Sequence, residues 1–351
     1  MHGVRAGLAA PLLTLHAAAV GLAHVSTLGG ALTYTPPVAV PRSVPGLCTS
    51  SCLVMERCEG VTLAAAARTI RGTLDVGSDS SASGDSRSVG DTLSGWLAAR
   101  RKRQVAKAVV AALAEAFGRM ALEPPGIVHG DPHPGNILLA IAGLDLATPE
   151  TMKAPSVRAL VGKPTVGLID WGQITTLEPE RRRALAALIV AMTAPHKVDG
   201  SSSCGGNAAA GCAVGEALEA LGLEFEGREA TTSSAESSSS SSKGTTKANV
   251  SQLTRKRPWA EETATRIAAA SALATHFFDT LPVAKPFADH PLDAAHPLRT
   301  LKCATFPSDL FLLVRAVQIL KAIAEEADVA DGWSLADMWR PHAQALLLAS
   351  P

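Results

Sequence analysis

Two short segments constrain the fold of this 351-residue chain more than any other feature. The segment GIVHGDPHPGNILL at 126–139 ends in an apolar run of strand length, and VGLIDWGQ at 166–173 begins with one. Asp131 and Asn136 are five residues apart on a turn rich in proline and glycine, and Asp170 directly follows the second run. Such a stiff turn holds polar side chains toward a common point. We therefore expect the two runs to pair as a hairpin that brings Asp170 beside Asn136.

These side chains are suited to magnesium and phosphate chemistry. The oxygens of Asn136 and Asp170 are ligands that Mg²⁺ prefers, with water and phosphate completing its coordination. Asp131 would then be free to accept a proton or to orient a nucleophile at a terminal phosphate. An Asp and an Asn five residues apart, followed by Asp-x-Gly, are typical of a protein-kinase-like catalytic loop.

A candidate hinge lies upstream of this turn. The sequence LVME at 53–56 has the form of a strand, and RCEG at 57–60 has the form of a short connector. In a kinase-like fold the backbone of such a connector hydrogen-bonds adenine. We therefore expect nucleotide contacts at four residues, namely Met55, Glu56, Arg57 and Cys58.

Periodicity and composition divide the rest of the chain. Apolar residues three and four apart predict a helix from Val105 to Met120, a second from Pro179, and a third after Ser308 as N-cap. The polar segments at 77–91 and 198–249 are predicted to be surface insertions that build no core. Lysine plus arginine (32) equals aspartate plus glutamate (32), so the net charge does not suggest a nucleic-acid partner.

These motifs resemble those of the UbiB, or aarF-domain, family of atypical kinase-like proteins. The resemblance covers most of residues 38–345 apart from the serine-rich insertions. It is carried by HGDPHPGNIL at 129–138, LIDWGQ at 168–173 and LVME at 53–56, and it continues in VPR at 40–42, LEPERRR at 177–183 and FLLVRAVQIL at 311–320.

The resemblance implies an α+β, protein-kinase-like fold that consists mainly of the helical C-lobe with a short catalytic-loop hairpin. It implies ATP and Mg²⁺ as cofactors, with Asp131 in the catalytic position and Asn136 and Asp170 as metal ligands. It also implies a role in prenylquinone metabolism of the ubiquinone or plastoquinone type, in a mitochondrion or plastid, with the cytoplasm as the alternative location. The partners would be a nucleotide and a prenyl-lipid or membrane-associated biosynthetic complex.

We expect four regions along the chain. Residues 1–37 are an unassigned N-terminal segment, either a targeting sequence or an N-lobe remnant. Residues 38–197 form a hinge and catalytic core. Residues 198–257 are a serine-rich insertion, and residues 258–345 are a C-terminal helical part.

The sequence departs from a complete kinase in one respect. A kinase N-lobe supplies a strand lysine and a helix glutamate that pair at the ATP phosphates. The first lysine here is Lys102, and no acidic residue precedes Glu56. Two explanations stay open: the sequence is part of a longer protein, which we favour, or the chain is a relative without an N-lobe.

Two other functions remain as alternatives. A non-catalytic C-lobe binding module would fit the missing lysine and glutamate. Small-molecule phosphotransferases of the aminoglycoside and choline kinase type also carry HGDxHxGN and IDWG motifs. Gln173 and the continuation LEPERRR at 177–183 favour the UbiB family over these phosphotransferases.

Overall fold

The computed structural model describes most of the chain between residues 38 and 349. The described residues are 38–44, 46–49, 52–68, 89–141, 164–194, 205–227, 258–288, 290 and 292–349. The predictions for the N-terminal segment 1–37 and for the polar residues 77–88 lie outside these ranges.

The described residues form eight short strands and seven helices, most of which are longer than the strands. The strands are β1 (Val38–Ala39), β2 (Val61–Thr62), β3 (Ile127–His129), β4 (Ile137–Ile141), β5 (Pro164–Leu168), β6 (Ile174–Thr176), β7 (Glu224–Phe225) and β8 (Cys303–Thr305). The helices are α1 (Val89–Leu122), α2 (Pro179–Met192), α3 (Gly205–Ala220), α4 (Ala264–Phe278), α5 (Pro297–Leu301), α6 (Ser308–Glu326) and α7 (Leu335–Leu348). A helical stretch at 63–68 and a 3₁₀ turn, Trp259–Glu261, complete the list. The predicted α+β class is confirmed.

The predicted hairpin is confirmed as β4 and β5. The two strands pair antiparallel, with Ile137 opposite Leu168 and Ile141 opposite Pro164. They form the centre of a four-stranded sheet in the order β1-β5-β4-β2, in which β1 runs parallel to β5. Strand β3 pairs with β6 in a separate two-stranded sheet. Two turns connect these sheets: the polar turn between β3 and β4, and the Asp170 turn between β5 and β6. Both turns therefore lie where the two sheets meet, next to each other.

The hairpin buries one face against the core. Ile137, Leu139 and Ile141 are buried, whereas Leu138 and Ala140 between them are half-buried. This alternation follows from the two-residue period of a strand. Helix α1 packs against β3 and β5 and ends at Leu122, just before Pro124 and Pro125, which cannot continue a helix.

Helices α2 and α7 complete the core next to α1. Helix α2 begins at Pro179, as predicted, and packs against α7. The fully buried indole of Trp339 on α7 donates its Nε1–H to the carbonyl oxygen of Ala114 on α1, over 2.8 Å. Because indole N–H groups are buried mainly where they find an acceptor, this contact fixes α7 against α1.

The prediction that 198–249 builds no core is wrong for residues 205–227. Helix α3 lies within this range and packs against α2 and α4, with Val214, Leu218 and Leu221 buried. The serine runs stand at 201–203 and 237–242, on either side of an alanine- and leucine-rich stretch. Composition averaged over the whole segment therefore hid a helix-forming sequence within it.

Helix α6 begins where it was predicted to begin, but with a different cap. Ser308 is the first helical residue, and the N-cap is Pro307, which has no capping side chain. The apolar residues that predicted this helix lie mostly in the core, since Leu313, Ala316, Val317, Leu320 and Ile323 are buried, whereas Leu312 is half-buried. No helix in the ranges given above is both long and apolar enough to cross a membrane.

Candidate functional site

The hairpin register places Asn136 next to the Asp170 turn. The amide N–H of Ile169 donates to the carbonyl oxygen of Asn136 over 3.0 Å, one residue beyond the last strand pair. Asp170 is exposed, follows Ile169 directly, and has a φ of 61°. Left-handed backbone is uncommon outside glycine and is often retained at functional sites. The predicted juxtaposition of Asn136 and Asp170 is therefore present in the backbone.

The side chain of Asn136 is buried and oriented by the turn that precedes it. Its Nδ2 donates to the carbonyl oxygen of Asp131 over 3.1 Å, and its backbone N–H donates to the carbonyl oxygen of His133 over 2.8 Å. This arrangement uses the amide nitrogen within the turn. Among the described residues no donor contacts Asn136 Oδ1, so this oxygen remains for another ligand.

His129 connects the two halves of the site, a role that the sequence analysis missed. The fully buried ring lies between Asp131, whose N–H donates to Nδ1 over 3.1 Å, and the carbonyl oxygen of Ile169, 3.1 Å from Nε2. Because Nδ1 accepts, we assign the proton to Nε2. Burial lowers the pKa of His129 despite the partly opposing effects of the Ile169 carbonyl and the nearby acids. A neutral ring in this tautomer can make both contacts.

His133 stabilises the turn that carries Asp131 and Asn136 and lies beside the carboxylate. Its Nδ1 accepts from the N–H of Gly135 over 3.0 Å, and its Nε2 lies 3.9 Å from Asp131 Oδ2. The imidazole is about half exposed, at 48%, whereas the side chain of Asp131 is only 15% exposed. His133 therefore covers one side of the Asp131 carboxylate.

Arg315 on α6 contacts the other oxygen of Asp131. Its Nη2 donates to Asp131 Oδ1 over 2.8 Å, and its Nη1 donates to Gln173 Oε1 over 2.6 Å. Arg315 lies in the segment FLLVRAVQIL at 311–320, in which the sequence pattern indicates no role for it. No sequence signal pairs residues 184 positions apart, so only the fold could identify this contact.

A groove of about 330 Å³ lies along the outer face of the hairpin. Ala140, Thr165 and Gly167 form its hairpin side. Three of the four predicted hinge residues, Glu56, Arg57 and Cys58, contribute to its other walls, together with Glu59 and residues 39–41. Burial, and to a lesser degree the nearby Glu56, raises the pKa of the half-buried Cys58 thiol. This thiol is therefore held neutral in the groove wall.

The fourth predicted hinge residue, Met55, does not line the groove. Met55 forms an isolated antiparallel bridge with Ser43, and the N–H of Glu56 donates to the carbonyl oxygen of Arg42 over 2.8 Å. The side chains of Arg42 and Glu56 add an exposed ion pair at 2.8 Å. Residues 42–44 thus hold the chain just before the connector. Along this segment the lining of the groove starts at Glu56, one residue after Met55.

Gly60 lets the connector cross the hairpin closely. Its φ is 117°, and a Cβ there would come within 2.6 Å of the carbonyl oxygen of Leu139. The chain then enters β2, which pairs with β4, and the N–H of Ala64 donates to the carbonyl oxygen of Pro134 over 3.0 Å. The connector is therefore fixed to the same turn that carries Asp131 and Asn136.

The donor set of the site suits one kind of metal. The described residues contain no cluster of three or more His, Cys, Asp or Glu side chains that could hold a cation by themselves. Asn136 and Asp170 offer oxygens and no nitrogen or sulfur. Within the described ranges the Asp170 carboxylate accepts only a long contact of 3.4 Å from the N–H of Gly172. Two protein oxygens with an open remainder fit Mg²⁺ bound together with phosphate and water, and do not fit a structural zinc site.

Comparison with known proteins gives one match. Residues 23–197 match the model of the ABC1 atypical kinase-like domain. The searches of curated proteins and of solved structures returned no match. The match spans the connector, the turn with Asp131 and Asn136, and the Asp170 turn, and it is consistent with the UbiB resemblance. Through residues 23–197, this chain belongs to the ABC1 atypical kinase-like family, whose kinase-like fold agrees with the α+β architecture described above.

Proposed function

We propose that this chain binds ATP together with Mg²⁺ along the outer face of the β4–β5 hairpin and at its Asn136 end, as an atypical kinase or ATPase of the UbiB type. One observation carries the proposal: the backbone pairing of Ile169 with Asn136 brings Asn136 and Asp170 to one end of the hairpin, where the Asn136 carboxamide contacts the backbone of Asp131. Asn136 Oδ1 and the Asp170 carboxylate would hold the metal. Mg²⁺ would neutralise charge on the phosphates.

The groove supports a place for the nucleoside part of ATP. The groove and the acidic site share the hairpin, since Gly167 lines the groove and Asp170 follows it by three residues. At the rise of an extended chain, three residues span about 10 Å. The described residues supply no partner for the backbone N–H of Cys58, and we propose that this group donates to the base.

Asp131 is the group suited to activate the acceptor of the phosphoryl group. One carboxylate oxygen is paired with Arg315, and among the residues that the structure describes the other oxygen has only the imidazole of His133 nearby, at 3.9 Å. A carboxylate held this way can accept a proton from a hydroxyl or orient water for attack. The positive charge of Arg315 beside it disfavours amine-bearing acceptors of the aminoglycoside type, which would meet like charge.

The biological setting that we propose rests on the family resemblance. A UbiB-type protein would act in prenylquinone metabolism, in a mitochondrion or plastid, with a prenyl-lipid or a membrane-associated biosynthetic complex as partner. Cells that lack the protein are expected to contain less prenylquinone, which chromatography of lipid extracts measures. An unchanged prenylquinone pool would contradict this setting without touching the nucleotide site.

The activity is tested by ATP hydrolysis with and without Mg²⁺. We expect slow, Mg²⁺-dependent hydrolysis that Asp170→Asn abolishes and that Asp131→Asn lowers by about 10²-fold or more. Asp331→Asn, at an exposed acid elsewhere, is the matched control and should leave the rate unchanged. Equal rates in the unchanged chain and the Asp170→Asn variant would contradict the proposal. Mg²⁺-dependent binding without turnover would instead support the non-catalytic binding module, in line with the absence of lysine before the connector.

A further inference from the structure

Asp131, Gly130, Gln173 and Arg315 form a closed ring of contacts. The N–H of Gly130 donates to the carbonyl oxygen of Gln173 over 2.8 Å. The side chain of Gln173 accepts from Arg315 Nη1 over 2.6 Å, and Arg315 Nη2 donates to Asp131 over 2.8 Å. Asp131 and Gly130 are covalently joined, which closes the ring. The ring links the segment that carries Asp131 to the turn in which Gln173 follows Asp170 by three residues.

The geometry of arginine matters for this ring. A guanidinium presents several N–H donors in a rigid plane, so Nη1 and Nη2 reach two different acceptors at once. An ammonium is a single flexible point charge and cannot reproduce that fork. The Arg315 side chain is 40% exposed, whereas its acceptor Asp131 is 15% exposed. The Asp131 carboxylate is thus shielded from water more than the acid of an ordinary surface ion pair is.

The helix behind Arg315 is fixed independently of the ring. Leu312, one turn earlier on α6, packs directly over the backbone at Gly130, and the hydroxyl of Thr175 on β6 donates to the carbonyl oxygen of Asp309 over 2.9 Å. Arg181 adds an ion pair with Asp309 at 2.9 Å. Helix α6 is therefore held against the turn at Gly130, against β6 and against α2, so the backbone that carries Arg315 is fixed.

We propose that Arg315 is a positioning residue that sets the distance between the Asp131 carboxylate and the Asp170 turn, through Gln173. This inference rests on the proposed function, because it assigns Arg315 a role in holding the Mg²⁺–nucleotide site. Arg315 acts through Asp131 and Gln173. Its effect on metal binding depends on both of its contacts, and its charge alone is insufficient.

The test measures Mn²⁺ affinity in the presence of the non-hydrolysable ATP analogue AMP-PNP, by electron paramagnetic resonance of free Mn²⁺. The variants are Arg315→Lys, Arg315→Gln, Gln173→Ala and the double variant Arg315→Lys/Gln173→Ala. Arg183→Lys is the matched control, because Arg183 also donates to a carbonyl oxygen, that of Ala349 over 3.3 Å, on another face. Thermal denaturation of each variant verifies that it is folded. Gln173 is exposed, so the Gln173→Ala variant should fold. It still allows the contribution of the ring to Mn²⁺ affinity to be measured if an Arg315 variant fails to fold.

We expect Arg315→Lys and Gln173→Ala each to weaken Mn²⁺ binding by about tenfold, and the double variant to be no weaker than either single variant, because both break one ring. A purely structural role would lower the melting temperature without this non-additive loss of affinity. Wild-type affinity in Arg315→Lys, or additive losses in the double variant, would overturn the inference. Asp170→Asn separates the two levels: if it binds Mn²⁺ like the unchanged chain, the proposed function fails and this inference fails with it.

Discussion

Asn136 and Asp131 are joined by a partly buried hydrogen bond, in which the carboxamide Nδ2 of Asn136 donates to the backbone carbonyl oxygen of Asp131 over 3.1 Å. The bond spans five residues and closes the turn between β3 and β4. The nitrogen of the carboxamide is used inside the turn, and the oxygen is the atom that we propose as a ligand of Mg²⁺.

Replacing Asn136 should therefore lower stability as well as metal binding. Asn136→Ala removes the donor to the Asp131 carbonyl and leaves a buried cavity, so we expect a loss of about 1–3 kcal/mol in the free energy of unfolding. Chemical denaturation measures it. Asp331→Ala, at an exposed acid, serves as the control and should change stability by less than about 0.5 kcal/mol. Equal stabilities of the two variants would show that the Asn136 bond contributes nothing to the fold.

The contacts of His342 should make stability depend on pH. Its two ring nitrogens lie 3.1 Å from carboxylate oxygens of Glu115 and Glu123, which joins α7 to α1 and to the loop after it. Hydrogen bonds that His342 donates to these carboxylates raise its pKa to about 9. The hydrogen bond with His342 is the main cause that lowers the pKa of Glu115 to about 2, and Arg119 adds to the effect.

The sign of the dependence follows from these directions. The raised pKa of His342 stabilises the fold fully below its unfolded value near 6.5, and this contribution is lost as the pH rises toward 9. The lowered pKa of Glu115 stabilises the fold above 4.5, and this contribution is lost as the pH falls toward 2. Denaturation of the wild type and His342→Gln across pH 3 to 10 should show the largest difference, about 2–3 kcal/mol, between about pH 4.5 and 6.5. A difference that is independent of pH would contradict this account.

The close packing of Gly130 against Leu312 should exclude any side chain at residue 130. A Cβ on Gly130 would lie 2.9 Å from Leu312 Cβ and 3.0 Å from both of its methyl groups. Gly130→Ala should therefore destabilise the fold by about 1–3 kcal/mol through overpacking. The double variant Gly130→Ala/Leu312→Ala should recover part of that loss, and thermal denaturation in a double-mutant cycle measures the coupling. Strictly additive effects would show that the two residues do not compete for space.

The local parts of the site were accessible from the sequence, and the long-range parts were not. The hairpin, the turn with Asp131 and Asn136, and the start of α2 at Pro179 each depend on residues close together in the chain, so periodicity and turn chemistry predicted them. Arg315 reaches Asp131 only because α6 packs over Gly130, and His129 acts through the carbonyl of Ile169. Contacts of this kind depend on tertiary packing, which a single sequence does not display.

The serine-rich region shows a second reason for failure. Helix α3 was missed because the long serine run at 237–242 dominated the composition of its neighbourhood. The apolar spacing of Val214, Leu218 and Leu221 was present in the sequence all along. A shorter window would have separated the helix from the serines beside it.

The central claim is that Asn136 and Asp170 hold Mg²⁺ with ATP, and calorimetric titration of this chain tests it most directly. We predict saturable heat on titration with ATP in the presence of Mg²⁺, and loss of that heat both when EDTA replaces Mg²⁺ and in the Asp170→Asn variant. The Asp331→Asn variant should bind as the unchanged chain does. Binding of ATP with the same affinity in the presence of EDTA, or in Asp170→Asn, would contradict the claim.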